Sequence, residues 1–556
     1  MHFVVRECMI LAIINSTEEY KMFARIRRNS GTKRCSVIVC HNIRRGDKIR
    51  QIIAKTFGHS AKESEFEALI AQAKHWIKNF GAQWLQQMLS TRKACNMKKQ
   101  ISIFNLREQS RINVGIEDIF GKLYSELGFQ NLLSSTHQKT LRKVLFARIF
   151  EPGSKRRLSY VAEKHLADEL PLDRIYRMMD ALIKQSIAVQ QIVFAATQAT
   201  LNGKISLVLF DVTTLSFETL AEDELRAFGF SKDFKFNTTQ VVLALATTQE
   251  GLPIGFRLFP GNTAETKTLL ESINSWRQYI PIEDVTVIGD RAMMSDSNLT
   301  QLESTCCDYI VAFPLRKLSK AQQAVVLDRS RYKPITTDEE ISRYCTLEIG
   351  GRYLCVSYSE KRAFKDQKDR ERLVKKLRDK LEKCKNVKRL VNTKGYLKYT
   401  EITGQAIATI NEGKIAEDAK WDGLHAVISN KIPSGIDVYN KYRRLWVIEE
   451  SFRINKHNLK MRPIYHFTPK RIQAHILLCY MEFALLRHIQ FKLREADQPM
   501  SVDRIVEAVR DIQASILTDI TDDRKYRMPS AINGDAEIIY KVFKLQHKLK
   551  MMPILL

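Results

Sequence analysis

Two aspartates follow short apolar runs that have the length of buried strands. The run 205–210 is followed by Asp211, and the run 285–289 is followed by Asp290. A carboxylate at the end of a buried strand needs hydrogen bonds, a paired charge or a cation to offset its desolvation. If the two strands are neighbours, both side chains reach one crevice, where oxygen ligands suit Mg²⁺. Taken alone, each aspartate is better explained as a turn or helix N-cap residue.

A third carboxylate lies in the segment 441–456, which has helical spacing. Tyr442, Glu449 and Lys456 are seven residues apart and therefore share one stripe of a helix. Trp446 and Arg453 fall on the same stripe. Packing is the favoured role for the tryptophan, and stacking on a displaced base is the alternative. An ordinary Glu449–Arg453 ion pair on a surface helix is the competing explanation of the charges.

The carboxylates require a scaffold, and the chain from 204 to 316 predicts one. Apolar runs of strand length alternate with a segment of helical spacing, and this alternation is typical of a mixed sheet covered by helices. The predicted strands are 205–210, 240–248, 252–258, 285–288 and 309–313, and the helix is 266–280.

Charge points to a polyanionic partner. The 556 residues contain 89 Lys+Arg and 62 Asp+Glu, a net charge of 89 − 62 = +27, and 44% of the residues are hydrophobic. The apolar content excludes wholesale disorder, and the length suggests three or four domains of about 150 residues. Nucleic acid is the simplest partner for so basic a chain. A charge that only aids solubility is the alternative.

Other classes are disfavoured by what the sequence lacks. Ten cysteines without a C-x-x-C pair argue against a disulfide framework or a zinc ribbon, which fits a reducing cytosol. No apolar run approaches the 18 or so residues of a membrane span. We therefore expect a soluble, cytoplasmic protein without a membrane partner.

Segments outside the α/β part have their own patterns. Residues 23–55 predict short basic strands joined by turns, 63–78 a helix, and 116–201 a helical block broken at Pro152-Gly153. Residues 365–391 hold twelve Lys/Arg and five Asp/Glu around leucines at helical spacing. This basic amphipathic helix is either a DNA-backbone contact or a solvated charged helix, and the pattern does not decide between them.

Several motifs, in their order and spacing, resemble the DDE-type insertion-sequence transposases. The resemblance is to the branch with a Y-x2-R-x3-E-x6-K (YREK) signature, within the RNase H-like or retroviral integrase superfamily. It covers about residues 22–490. The matching segments are 210–214, 229–233, 251–255 with 259–262, 288–291, 421–423, 442–456 and 462–466, with 151–155 and the basic N-terminal segment also similar.

The resemblance implies an α/β fold with an RNase H-like mixed-sheet catalytic core that a β-rich insertion interrupts. It implies Asp211, Asp290 and Glu449 as the catalytic, metal-binding triad, with Mg²⁺ as cofactor and Mn²⁺ as a substitute. It selects Glu449 over Glu450, because Lys456 stands seven residues beyond Glu449.

The same resemblance implies which side chains bind DNA. Tyr442, Arg453, Lys456, Arg443 and Arg291 are the expected contacts. The family pattern has an arginine at the position of Leu445 in this chain. Arg443 or Arg444 is then the candidate substitute, from a different angular position on the helix.

We expect the chain to be organised in a defined series of regions. Residues 1–21 fall outside the family pattern, which begins near Met22. The expected regions are 22–84 (basic β-turn segment plus helix), 85–112 (linker), 113–203 (helical, DNA-binding), 204–316 (first part of the core), 317–436 (insertion with the basic helix and strands), 437–492 (helical completion of the core) and 493–556 (C-terminal helical tail).

The expected function is a DNA transposase that cleaves the ends of an insertion sequence and transfers the strand into target DNA. Its partners would be double-stranded DNA, as terminal inverted repeats and target, and a second copy of the chain in a homodimer. The protein would work in the bacterial cytoplasm at the nucleoid. Two alternatives stay open: a catalytically decayed transposase that only binds DNA, and an RNase H-like nuclease without strand transfer.

Overall fold

The structure is a computed structural model of the chain, and it divides into two compact units, 1–105 and 106–556. Each unit is described by itself. The described residues are 10–13, 22–28, 35–45, 48–60, 62, 64–96, 102–229, 237–281, 286–290, 295–304, 308–337, 340–383, 399–403, 407–431, 435–547 and 550–554.

The first unit is an antiparallel sheet covered by one long helix. Its strands pair in chain order: β1 (Ile10–Ile13), β2 (Met22–Arg28), β3 (Cys35–Arg45) and β4 (Lys48–Ser60). Alternate strand residues face helix α1 (Ser64–Asn96), as the burial of Val37 and Val39 against Ala73 shows. The predicted strands and helix are confirmed. The helix runs beyond 78, however, so residues 85–96 are not a linker, because Trp84 continues its packed face.

The second unit begins with a strand and a helical block. The elements are β5 (Leu106–Asn113), α2 (Gly121–Glu126), α3 (Ser135–Phe150), α4 (Lys155–Leu166), α5 (Leu172–Leu182) and α6 (Ser186–Thr200). The predicted helical block is confirmed, including its break at Pro152-Gly153. Ser154 caps the next helix, since its hydroxyl accepts a hydrogen bond from the backbone N–H of Arg157 at 3.2 Å.

The central sheet has the RNase H-like arrangement. Its first strands are β6 (Leu207–Ser216), β7 (Gln240–Thr248), β8 (Pro253–Pro260), β9 (Thr286–Gly289) and β10 (Asp308–Ala312). They lie in the order β8-β7-β6-β9-β10, with β7 antiparallel to its neighbours and β6, β9 and β10 parallel. The helices α7 (Glu265–Arg277) and α8 (Asp296–Ser304) cover one face. The predicted α/β class is confirmed.

The segment predicted as a β-rich insertion continues this same sheet. Its elements are α9 (Lys320–Leu327), β11 (Lys333–Thr337), β12 (Glu340–Ile349), β13 (Arg352–Ser359), α10 (Glu360–Lys383), β14 (Thr400–Thr403), β15 (Ile407–Ile410), α11 (Glu412–Ala419) and β16 (Leu424–Ser429). Strand β16 pairs with both β10 and β13, which yields one nine-stranded sheet. The basic helix is confirmed as α10, which buries Leu377 against Tyr399, while residues 384–398 lie outside the described part.

The C-terminal part completes the second unit. It comprises α12 (Gly435–Arg443), α13 (Trp446–Arg453), a π-helical turn (Ile454–Asn458), α14 (Pro469–Glu495), α15 (Val502–Asp511), β17 (Gln513–Asp519), β18 (Lys525–Pro529), α16 (Gly534–Val542) and β19 (Met552–Pro553). The tail is therefore not all helical. Strand β17 pairs with β5, so residues 106–112 of the expected linker are a strand of a small antiparallel sheet.

Helix α14 lies at the centre of the second unit. Its residues 474–490 are buried, which confirms the expected buried helix over 476–486. The one acid in that stretch, Glu482, accepts a hydrogen bond from Arg148 Nε at 2.5 Å, and both side chains are fully buried. The guanidinium also donates to the Leu459 carbonyl at 2.8 Å. No helix among the described residues is long and apolar enough to span a membrane.

Buried histidines predict how stability depends on pH. Burial lowers the pKa of His466 to about 3 and of His488 to about 4, and it also lowers the pKa of His475. Their folded pKa values lie below the unfolded value, so below about pH 6.5 the unfolded chain binds protons that the folded chain does not. We expect the free energy of unfolding to fall by about 2 kcal/mol per such histidine between pH 7 and pH 5.

Urea denaturation at the two pH values measures this loss. The variant His488→Gln should flatten the slope, whereas His457→Gln, at an exposed position, should leave it unchanged. Equal stability of the wild type at pH 7 and pH 5 would contradict the prediction.

Candidate active site

The pairing of β6 with β9 places two aspartates side by side. The strands are parallel, with Leu207 opposite Thr286 and Leu209 opposite Ile288. The same register sets Asp211 beside Asp290, on strands about 4.8 Å apart, with both side chains on one face. The predicted neighbouring strands are thus confirmed.

Asp211 differs from the prediction in one respect. It does not end its strand, because β6 continues to Ser216 through its pairing with β7. What ends near Asp211 is the partner strand β9, at Gly289. Asp211 is half-buried, and its Oδ1 accepts a hydrogen bond from the Val212 N–H at 2.7 Å, while Asp290 is exposed.

Helix α13 brings the third carboxylate to the same face of the sheet. Val447 and Ile448 are buried in the core that also contains Leu207 and Leu209 of β6. Asp211 shares the parity of those two leucines and therefore points toward the same side. Glu449 follows Ile448 and is exposed.

The segment 441–456 is not one regular helix. Helix α12 ends at Arg443 and α13 begins at Trp446, and the junction is a tight turn. Its i→i+3 bonds include Val447 N–H to the Arg444 carbonyl at 2.9 Å. A π-helical turn follows at Ile454–Asn458. The seven-residue stripe of an ideal helix is therefore broken on both sides of α13.

The three carboxylates all act electrostatically on Tyr442. Burial and the charges of Asp290, Glu449 and Asp211 together raise the pKa of its phenol to about 12. The His425 ring lies 4.9 Å from the Tyr442 ring. One half-buried tyrosine therefore senses all three predicted acids.

His425 and Arg362 belong to this site, although the sequence did not indicate them. Burial and the Arg362 guanidinium lower the pKa of His425 to about 4, although the charge of Asp290 opposes that shift. The Arg362 guanidinium also lowers the pKa of Tyr442. Its side chain, in the first turn of α10, is half exposed, with Asp366 at 3.9 Å. No local spacing links these residues to Tyr442, because only the pairing of β13 with β16 brings them together.

The donor set suits a hard divalent cation. All three acids offer carboxylate oxygens, the ligands that Mg²⁺ and Mn²⁺ take. Among the residues that the structure describes, no three His, Cys, Asp or Glu side chains stand close enough together to coordinate a metal. The carboxylate oxygens are chemically suited to such an ion, but the three side chains would have to move closer together to coordinate it.

The predicted DNA-binding cations differ in their exposure and in their ion pairs. Arg453 is exposed and lies 3.5 Å from Glu450, so it pairs with the adjacent acid and not with Glu449 as the competing explanation had it. Lys456 is half-buried in the π-helical turn, and Arg443 is exposed at the end of α12. Arg291 lies outside the described residues.

Glu450 has a structural position that the sequence did not reveal. Its Oε2 accepts a hydrogen bond from Nη1 of the buried Arg487 at 3.0 Å. Nε of the same guanidinium donates to the Gly251 carbonyl at 2.8 Å. Gly251 has φ +83°, and a Cβ there would lie 1.5 Å from Arg487 Nη2. The β7–β8 turn, α14 and α13 are thus joined through one guanidinium.

Two neighbours of the junction differ from expectation. Leu445 is half-buried and packs against the main core, so this position supplies no cation. Trp446 is 57% exposed, so the favoured packing role was wrong.

Comparison with known proteins gives a family. Residues 202–482 match the sequence profile described as the transposase DDE domain. No curated protein matches the chain. One similar solved structure is the cryo-EM structure of the piggyBac transposase synaptic complex with hairpin DNA, at 8% identity and a TM-score of 0.35, covering 71% of this chain and 76% of that chain. The family assignment rests on the profile match.

We expect substitutions of the adjacent residues Glu449 and Glu450 to differ strongly in their effect on stability. Glu450→Gln removes the charge that pairs with buried Arg487, and we expect a loss of about 3 kcal/mol in the free energy of unfolding. Glu449→Gln alters an exposed side chain and should change it by less than about 0.5 kcal/mol. Urea denaturation of both variants measures the difference, and equal losses would contradict the assigned roles.

Two glycines with left-handed backbones make a matched pair. Gly251→Ala should cost about 3 kcal/mol or more, because the new methyl group collides with Arg487. Gly203→Ala has a similar φ of +78° but open space around the added Cβ, so it should cost only the backbone strain of about 1 kcal/mol. Thermal denaturation compares them. Similar midpoints for the two variants would argue against a close Gly251–Arg487 contact.

Proposed function

The chain belongs to the transposase DDE domain family and is a DNA transposase, and we propose that it cleaves DNA at the ends of an insertion sequence and joins those ends to target DNA. The observation that carries this proposal is the register of β6 and β9, which sets Asp211 beside Asp290, together with the packing of α13, which bears Glu449, on the same face of the sheet. Membership of the YREK branch is part of the proposal, supported by Tyr442, Glu449 and Lys456 at the signature spacing.

Asp211, Asp290 and Glu449 would together hold the divalent cations, Mg²⁺ or Mn²⁺, that transposases of this family generally use. Bound ions of this kind lower the pKa of a water and stabilise charge on the attacking and leaving oxygens of a phosphoryl transfer. Asp211 lies in the central strand β6, Asp290 directly follows the neighbouring strand β9, and Glu449 lies on α13. A DNA strand can approach the acids from solvent, because Asp290 and Glu449 are exposed.

The surrounding side chains would position the DNA strand. Tyr442 keeps its proton at neutral pH, since its pKa is raised to about 12, and the phenol can donate a hydrogen bond to a phosphate oxygen. Arg453 and Lys456 follow Glu449 and supply positive charge, as do Arg443 at the end of α12 and Arg291 after Asp290. These contacts fix the scissile phosphate relative to the carboxylates.

Arg362 is the best-placed substitute for the signature arginine that Leu445 replaces. It acts electrostatically on both Tyr442 and His425, and more than half of its side chain is exposed. Arg443 and Arg444, the substitutes suggested by sequence, are exposed on the junction itself. We propose that Arg362 supplies a phosphate contact from the insertion.

DNA binding would extend beyond the site. The helical region 113–203, the basic N-terminal region 22–84 and the exposed face of α10 are the proposed contacts with the terminal inverted repeats. Most of the affinity should come from phosphates and should weaken steeply with salt, given the net charge of +27. Synapsis of two ends would require a homodimer, and the bacterial nucleoid is the proposed place of action.

One observation favours a second candidate, a decayed transposase that binds DNA without cutting it. Leu445 packs into the core where the signature has an arginine. A nuclease that cuts without joining is the third candidate. Metal-dependent cleavage separates the first two, and joining of the cut end to a second duplex separates a transposase from a nuclease.

The test uses purified protein and a duplex that carries a terminal repeat from the DNA flanking the coding region, with and without Mg²⁺ or Mn²⁺. We expect metal-dependent cleavage at the repeat end by the wild type. Asp211→Asn should lower the rate at least about a thousandfold, because the lost carboxylate is a proposed metal ligand, while DNA binding persists. Asp523→Asn, at an exposed acid in the turn between β17 and β18, serves as the control. Binding without cleavage by the wild type would leave the decayed transposase as the function.

A further inference from the structure

The segment that follows the candidate active site is basic and carries no acid. Residues 456–471 connect the π-helical turn to α14 and contain five Lys/Arg and no Asp or Glu. Among them, Lys460 and Lys470 are exposed. Arg471 is engaged by Asp180 at 3.5 Å and lies over the Tyr176 ring at 4.5 Å. The two exposed lysines therefore leave positive charge on the surface of this segment, which follows the candidate site in the chain.

Two aromatic rings project from this segment. Tyr465 is 58% exposed and Phe467 is 74% exposed, whereas Ile464 and His466 are buried. Alternate burial of this kind is the pattern of an extended chain, which places Tyr465 and Phe467 on the same side, about 7 Å apart. Because Ile464 and His466 point inward and are buried, the rings of Tyr465 and Phe467 must point outward.

The backbone beneath the rings is anchored. The Phe467 carbonyl accepts a hydrogen bond from Nη2 of the buried Arg226 at 3.0 Å. The His466 ring packs at 6.2 Å from Tyr176 and 5.6 Å from His475. The two exposed rings are thus held in place by buried neighbours and need little ordering when a ligand binds.

We propose that Tyr465 and Phe467, with Lys460 and Lys470, form a platform for unpaired nucleotides next to the site of strand cleavage. Exposed rings flanked by lysines match a single strand, which offers base faces for stacking and phosphates for charge pairing. A duplex hides its base faces in the stack, so it gains little from such rings. Bases become unpaired where a strand end is cut and moved. The proposal rests on the proposed DNA cleavage function and names the form of DNA bound beside it.

The test is a binding measurement that requires no cleavage. Fluorescence anisotropy of the full-length protein in EDTA compares a labelled ten-nucleotide thymidine oligomer with a duplex of the same length. We expect Tyr465→Ala/Phe467→Ala to weaken single-strand binding tenfold or more and duplex binding less than about twofold. Tyr465→Phe/Phe467→Tyr keeps both rings and should bind as the wild type does.

Lysine variants and a control complete the experiment. Lys460→Gln/Lys470→Gln should reduce the slope of log affinity against log salt for the single strand by about 1.4, the amount expected for two lost phosphate contacts. Ile520→Ala, at an exposed apolar position in the turn after β17, should change neither affinity. Equal losses for both DNA forms in the alanine variant, or no loss at all, would overturn the platform. Because no cleavage is measured, failure of the proposed catalytic function would appear separately, in the metal-dependent assay.

Discussion

The arrangement of the site depends on one buried cation. Arg487 extends from α14 and binds the Gly251 carbonyl in the β7–β8 turn and the Glu450 carboxylate on α13. A guanidinium removed from water requires these acceptors, and its fixed fork dictates where they stand. Helix α13, which carries Glu449, is therefore positioned against the sheet by the ion pair between Glu450 and Arg487. Glu449 itself is left exposed at the surface, on the side where Asp211 and Asp290 lie.

The insertion is part of this site, and this follows from strand pairing. Strand β16 continues the central sheet from β10, and it carries His425 to the Tyr442 ring. Strand β13 then pairs with β16 and leads into α10, whose first turn bears Arg362. Acidic groups from the core and a cation from the insertion thus act on the same phenol. A DNA strand whose phosphates paired with the cations near these acids would therefore contact both the core and the insertion.

The sequence predicted those features that depend on local pattern. The runs before Asp211 and Asp290 identified two strands, and the leucine spacing identified α10, because burial imposes short periods on local residues. Features that depend on distant partners were missed. Glu450 is defined by its pair with Arg487, and β5 pairs with β17, a strand 400 residues away in sequence. Trp446 was assigned to packing because an aromatic ring beside apolar neighbours is usually buried, but it is 57% exposed.

The pairing of β5 with β17 also bears on how the protein is made. The first strand of the second unit bonds to one that is synthesised 400 residues later, with Asn113 opposite Gln513. Contacts so distant in sequence form late, and during synthesis β5 cannot pair with β17 until residues 513–519 have left the ribosome. Chains truncated before 513 would lack β17 while retaining every proposed catalytic residue. Translation past β17 is thus a condition for closing this unit, and a shorter nascent chain, still attached to its messenger, would have to carry an unpaired strand edge.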